Sequence, residues 1–232
     1  KLNGCKTGEA KLTGAYKLPC KYIIHTVGPI WRGGNQDEEK LLAECYSNSL
    51  QIAVDQGIRS VAFPSISTGA YRFPKEKAAM IAVRTVNDFI EANSGSLDLI
   101  EMIGISISNS LFYEKARAEY EYRLNFDQVT GLRKRETFNN LGESYVEYDC
   151  SFMGVFASDI IRLSDINEKF GYMAGNARLK MVADVIRGVF TGYDIYRYEQ
   201  DEIVVFCKDI DKKSFMGLVR IVRESLDDLD VS

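Results

Sequence analysis

The sequence predicts an α/β protein built from two unrelated halves, and three observations predict it. Up to about Asn125, short apolar runs alternate with stretches of helical periodicity. After Asn125 the order changes to a strand, a long helix, a hairpin and a closing helix. The chain has 232 residues, enough for two domains, and nothing in it repeats.

The elements follow in order. Tyr22–Val27 is an apolar run bounded by Pro19 and Gly28-Pro29, which suits a buried strand. Asp37–Val54 carries Leu41, Leu42, Cys45, Leu50, Ala53 and Val54 at helical spacing, and Gly57 stops it. Ser60–Phe63 reads as a second strand ending at Pro64. Pro74 opens the next helix in its first turn, where a missing N–H costs nothing. Ala79, Val83, Val86 and Ile90 line one face of that helix. Leu99–Ile107 is a third strand and Leu111–Leu124 a further helix, so a mostly parallel sheet is expected. In the second half a helix follows Leu132, and Phe152–Ser158 is a strand ending in Asp159. A helix over Gly175–Val189 stripes Leu179, Val182, Ile186 and Val189. Tyr193–Tyr198 and Ile203–Cys207 form a hairpin around Glu199–Glu202, and Lys213–Leu226 is a last amphipathic helix.

Hydrophobic residues make up 46% and charged residues 27%, an ordinary globular composition. A net charge of −4 without a basic run argues against a nucleic-acid partner. Arg133-Lys134-Arg135 reads as a solvated face at a helix start. The five cysteines (Cys5, Cys20, Cys45, Cys150 and Cys207) are odd in number and not spaced as a metal knuckle. With His25 the single histidine, a Cys/His zinc site is not expected. Reduced, mostly buried thiols fit a cytoplasmic protein. No apolar stretch is long enough for a membrane segment, and the N-terminus is no signal peptide. A chain that starts at Lys1 and stops after a helical pattern reads as a piece of a longer polypeptide.

In the first half the informative segment is Phe63–Pro74, which leaves a strand and enters a helix. Small residues and Gly69 allow close backbone approach, and free N–H groups at a helix start favour a bound phosphate. A tight βα turn without ligand is the alternative reading. Tyr22-Ile23-Ile24-His25-Thr26-Val27-Gly28-Pro29, then Trp31 and Gly33-Gly34, then Ile66-Ser67-Thr68-Gly69-Ala70-Tyr71-Arg72-Phe73-Pro74 resemble the macro domain over residues 1–120, within the branch of MacroD-type ADP-ribosyl hydrolases and O-acetyl-ADP-ribose deacetylases. The resemblance implies that Ser67, Thr68, Gly69, Ala70 and Tyr71 wrap the pyrophosphate of ADP-ribose, free or on an ADP-ribosylated protein. His25, on an apolar strand, is expected to be a packed core histidine. The family's opening strand, first glycine-rich loop and catalytic Asn and Asp lie upstream of this segment.

In the second half, Asp159 ends a strand and Asp201 and Glu202 sit in the hairpin. Paired carboxylates beside a nucleotide suit Mg²⁺, although acidic residues at strand ends also serve as solvated caps. Asp127-Gln128-Val129-Thr130-Gly131-Leu132, Asp159-Ile160-Ile161, the block from Asp165 to Asn176, and Arg197-Tyr198-Glu199-Gln200-Asp201-Glu202-Ile203 resemble in order the motifs of the GGDEF (diguanylate cyclase-type) domain over residues 126–232. The resemblance implies that Asp159 and Asp201 hold Mg²⁺ with the Ile160 carbonyl, that Glu202 lies near the nucleophilic hydroxyl, and that Asn167 and Asn176 read guanine. Where the family has Asp, Asn176 keeps an acceptor and adds donors, which alters that reading. Glu199 and Gln200 stand in place of both signature glycines. A two-residue turn wants positive φ, so this replacement is expected to cost about 1–3 kcal/mol of backbone strain. The family's inhibitory R-x-x-D is replaced, with Phe190 and Tyr193 at its ends. Its last strand and last helix lie beyond Ser232.

The expectation is therefore a partial macro domain, with a mixed sheet flanked by helices, followed by an α+β GGDEF domain with a degenerate signature. Its role would be a cytoplasmic signalling fusion that binds ADP-ribose and uses the GGDEF half for nucleotide sensing or dimerisation. GTP is the expected second ligand, and a weak homodimer through the GGDEF half is the expected association. The alternatives are an active diguanylate cyclase making cyclic di-GMP, and an ADP-ribosyl hydrolase in the full-length protein.

Overall fold

The computed structural model describes residues 3–104, 106–138 and 152–230. It divides into two compact units, Lys1–Glu121 and Tyr122–Ser232. Of the sequence expectations, those on Ile105 and Cys150 lie outside the described residues.

The first unit holds β1 (Ala10–Gly14), β2 (Tyr22–Thr26), α1 (Glu38–Asp55), β3 (Ser60–Pro64), α2 (Lys75–Ala92), β4 (Leu99–Ile103) and most of α3 (Ile107–Asn125). β1 pairs antiparallel with β2, from Ala10 opposite Thr26 to Gly14 opposite Tyr22, while β3 and β4 run parallel. The parallel pair was legible. β1 was not, because Ala10-Lys11-Leu12-Thr13-Gly14 has too little apolar content for a strand signal. α1 and α2 lay Leu42, Tyr46, Leu50, Ala78, Ala82 and Val86 against Phe63 and Phe73, and this cluster is the core of the unit. Two expectations need correction. Ile90 continues the stripe of Ala79, Val83 and Val86 but lies in the last turn of α2 and is 43% exposed. Pro74 caps α2 from outside its first turn.

The second unit holds β5 (Arg133–Lys134), β6 (Met153–Asp159), α4 (Leu163–Phe170), α5 (Tyr172–Val189), β7 (Asp194–Arg197), β8 (Glu202–Lys208) and α6 (Lys212–Asp230). Its sheet has the order β5-β7-β8-β6, with β5 parallel to β7 and the other pairings antiparallel. Leu179, Ala183 and Ile186 of α5 pack with Ile203, Val205 and Val222 into the core. Arg133 and Arg135 are exposed, as a solvated face requires, and Arg135 stands at a helix start, but the cluster also makes a short strand. Arg133 and Lys134 are a strand, the Lys134 ammonium donates to the Arg123 carbonyl at 2.7 Å, and Arg135 pairs with Glu199. Two residues of strand leave no period to read. Among the described cysteines, Cys45 and Cys207 are buried and Cys20 is exposed. Burial pushes the Cys207 thiol up to about 11, so it stays a protonated, inert thiol.

Candidate functional site

The loop between β3 and α2 is the first candidate. It turns back on itself through Arg72 N–H to the Gly69 carbonyl and Phe73 N–H to the Ser67 carbonyl, both 3.0 Å. Ser67 (φ 62°) and Arg72 (φ 55°) are left-handed non-glycine residues, a strain that tends to sit at ligand sites. Among the described residues, no backbone hydrogen bond is donated by the N–H groups of Ser67, Thr68, Gly69, Ala70 or Tyr71. The Ser65 and Ser67 hydroxyls are buried without a partner. Buried polar groups are nearly always satisfied, so orphaned ones in a loop of unspent N–H groups fit an anion that is supplied from outside. Gly28 makes room for this loop, because a Cβ there would lie 2.1 Å from the Ser67 Oγ. Gly69, Ala70 and Tyr71 are exposed. His25 is exposed as well, with a ring nitrogen 2.9 Å from the Thr13 hydroxyl, so the core-histidine expectation fails. Among the described residues its strand pairs with β1, where His25 stands opposite Lys11.

The second candidate lies at the open ends of β6 and β8. Asp159 stands directly opposite Glu202, so their side chains share a face. Next to them the Ile160 N–H donates to the Asp201 carbonyl at 3.0 Å. Asp159 and Ile160 also line a cleft of about 600 Å³ with Arg162, Lys169, Arg178 and Leu226. Asn167, Asn176, Asp201 and Glu202 are not on its wall. Asn167 packs on α5 instead, where a Cβ at Gly175 would come 2.0 Å from its Oδ1, and that oxygen is buried with no partner. Asn176 is exposed one residue further on. Among the described residues no three His, Cys, Asp or Glu side chains gather into a metal cage. Mg²⁺ does not need one, since one or two carboxylates and substrate phosphates hold it, and the oxygen donors here suit it.

The hairpin between β7 and β8 corrects the strain expectation. Glu199, Gln200 and Asp201 all keep negative φ, because Tyr198 and Glu202 close a three-residue loop by a 2.9 Å backbone bond. Its geometry comes from Arg197. That guanidinium donates twice to the Gln200 carbonyl, at 2.6 and 3.2 Å, and once to Asp127 at 2.8 Å. The Asp127 carboxylate also accepts from the N–H of Val129 (3.2 Å) and from the N–H (2.8 Å) and hydroxyl (2.7 Å) of Thr130. Burial pushes the Asp127 carboxyl up, but the Thr130 donors and the Arg197 charge outweigh it and hold it below the usual aspartate value. At the tip, Glu199 is paired with Arg135, whose guanidinium lies 4.6 Å over the Tyr198 ring. Sequence reading found Asp127 and Arg197 as motif positions but not their contact, which spans 70 residues of chain.

A loop of unspent N–H groups thus lies on one α/β unit and a carboxylate-bearing hairpin on the other. Residues 1–82 match the Macro domain family, and residues 124–232 match the diguanylate cyclase GGDEF domain. The chain is 47% identical over 121 residues to a macro domain-containing protein of Caldanaerobacter subterraneus, covering 52% of this chain and 68% of that one. It is 40% identical over 143 residues to the human ADP-ribose glycohydrolase MACROD2, covering 61% of this chain and 34% of that one. Among solved structures, the Oceanobacillus iheyensis macrodomain is 36% identical with a TM-score of 0.49, covering 51% of this chain and 61% of that one. The chain spans about half the length of other curated relatives, 49% of one from Methanosarcina mazei. The chain belongs to the macro-domain family and carries a GGDEF domain behind the macro segment.

Proposed function

We propose that this protein is a cytoplasmic signalling fusion: the macro segment over residues 1–120 binds ADP-ribose, and the GGDEF segment over 126–232 senses a nucleotide or dimerises rather than making cyclic di-GMP. The Ser67–Tyr71 loop carries the first part, with its unspent N–H groups and the orphaned Ser67 hydroxyl beside it. Glu199 carries the second, because it puts a carboxylate where the signature's first glycine stands. In this reading Asp159 and Asp201 hold Mg²⁺ with the Ile160 carbonyl, Glu202 lies near the nucleophilic hydroxyl, and Asn167 with Asn176 reads the base. The metal would screen triphosphate charge. Among the described residues no helix is long and apolar enough to cross a membrane. MACROD2's name supports a second reading, ADP-ribosyl hydrolysis by the full-length protein.

Titration calorimetry tests the first part. With Ser67–Tyr71 as the ligand loop seen among the described residues, ADP-ribose is expected to bind the 232-residue chain weakly, in the range above micromolar. Micromolar or tighter affinity would overturn the one-loop account, and no binding at millimolar ligand would overturn ADP-ribose recognition itself. Sedimentation tests association, with a dimer expected only at high protein concentration. A stable dimer at low micromolar concentration would contradict that.

A further inference from the structure

A carboxylate outside the motifs discussed so far is buried beside the ligand loop. Glu38, the first residue of α1, is 2% exposed. Among the described residues it has no cationic partner and is satisfied by backbone alone: one oxygen accepts from the N–H of Arg32 (3.0 Å) and Gly34 (3.2 Å), the other from the N–H of Gln36 (2.6 Å). These three donors come from the single stretch Trp31–Asp37, which the carboxylate gathers into a closed loop. Gly33 and Gly34 supply the positive φ the loop needs, 109° and 89°, and a Cβ on Gly34 would sit 3.0 Å from the Trp31 ring.

What the loop holds is the reason to assign Glu38 a role. Trp31 N–H donates to the Tyr71 carbonyl at 2.9 Å, so the loop is hydrogen-bonded to the last residue of the ligand segment. The Trp31 ring packs 4.6 Å from Phe73, just past Arg72, and the Lys77 ammonium lies 5.3 Å over its face. Ligand segment and Trp31 loop are therefore joined at both ends of the Tyr71–Phe73 turn.

Resting on the ADP-ribose reading above, we propose that Glu38 is a positioning residue of that site: by folding Trp31–Asp37 around its carboxylate it fixes Trp31 and the Tyr71 backbone, and so sets affinity for a diphosphate nucleotide it does not touch. A carboxylate can accept all three N–H groups. A glutamine has one oxygen, and its NH₂ would face a donor, so Glu38→Gln breaks the loop at one or more of the three bonds while keeping volume. Burial pushes the Glu38 carboxyl up, yet the N–H groups of its own residue, Gln36, Arg32 and Gly34 outweigh that and leave it below the usual glutamate value.

The experiment uses the whole chain, in which Trp31 is the single tryptophan and reports the loop directly. Fluorescence emission and ADP-ribose affinity, the latter by ligand-observed NMR, are measured for the parent, Glu38→Gln and a control, Asp55→Asn, at the exposed far end of α1. Glu38→Gln is expected to red-shift Trp31 emission and to weaken ADP-ribose roughly tenfold or more, with Asp55→Asn changing neither. Unchanged emission, or shifted emission with parental affinity, overturns the proposal. If the parent itself does not bind ADP-ribose, the functional reading and the affinity claim fall together, while the emission shift still decides whether Glu38 places Trp31. If Glu38→Gln does not fold, acid titration of the parent replaces it. Emission should then hold constant through the ordinary glutamate range and shift only below it. A transition centred at the ordinary glutamate value, or none, overturns the assignment.

Discussion

No cyclic di-GMP above the reagent blank is expected when the 232-residue chain is incubated with GTP and Mg²⁺. The reason is charge rather than backbone. The β7–β8 turn closes without left-handed residues, so losing both glycines costs it no φ strain. The Glu199 carboxylate remains at the tip, fixed there by Arg135, which is itself held over Tyr198. A triphosphate oxygen about 5 Å from such a carboxylate meets about 1–3 kcal/mol of repulsion, because solvent and Arg135 screen part of the charge. That is roughly five- to a hundredfold in occupancy, and a displacement of about 1 Å from attack geometry costs roughly another hundredfold in rate. Glu199→Gly removes the carboxylate and releases Arg135 as a countercharge, so GTP affinity should rise about fivefold or more on the same arithmetic. Mass-spectrometric product assay and a GTP-binding titration check both statements. Robust cyclic di-GMP from the unmodified protein would establish the active-cyclase alternative, and unchanged GTP affinity in Glu199→Gly would remove Glu199 as the cause.

Asp127→Ala is expected to destabilise the GGDEF unit by about 3 kcal/mol, the largest single-site loss among the polar contacts described above. Its carboxylate takes three hydrogen bonds from Val129 and Thr130 and one from Arg197, and the Asp127 and Arg197 side chains are only 17% and 20% exposed. Removing it leaves the Arg197 charge half-buried and unties the hairpin from the Asp127–Leu132 turn. Asp127→Asn should lose most of the same amount, because Arg197 then faces an amide. Urea unfolding followed by far-UV circular dichroism gives the value, and a loss under about 1 kcal/mol would show that the contact is not a stabilising one. The pH dependence has a definite sign. Asp127 is held below the usual aspartate value, so its contribution is fully present above about pH 4 and is lost as pH falls through the depressed folded value. Between pH 7 and pH 5 the difference between parent and Asp127→Asn should stay constant, and it should shrink only in stronger acid.

The sequence by itself determined the periodic elements and the order of motifs. α1, α2 and α5 are long enough for a stripe of Leu, Val and Ile to announce them, and the paired runs around Glu199–Glu202 announce a hairpin. The placement of Ser67–Tyr71 between a strand and a helix, and of Asp159, Asp201 and Glu202 at or beside strand ends, was legible because these are local signals. The tertiary structure alone decided what depends on contacts between distant residues. β1 and β5 are strands only because β2 and β7 lie beside them. His25 belongs to an apolar run yet is exposed, since alternation says which residues share a face and not whether anything covers it. The turn at Glu199-Gln200 reads as strained until Arg197, anchored 70 residues away on Asp127, is seen to hold its carbonyl. Glu38 looks like one more acid in the first turn of a helix until three backbone N–H groups close around it. A side chain's type is written in the sequence, but the free energy of burying its charge is set by the donors that surround it, and those are assembled only by the fold.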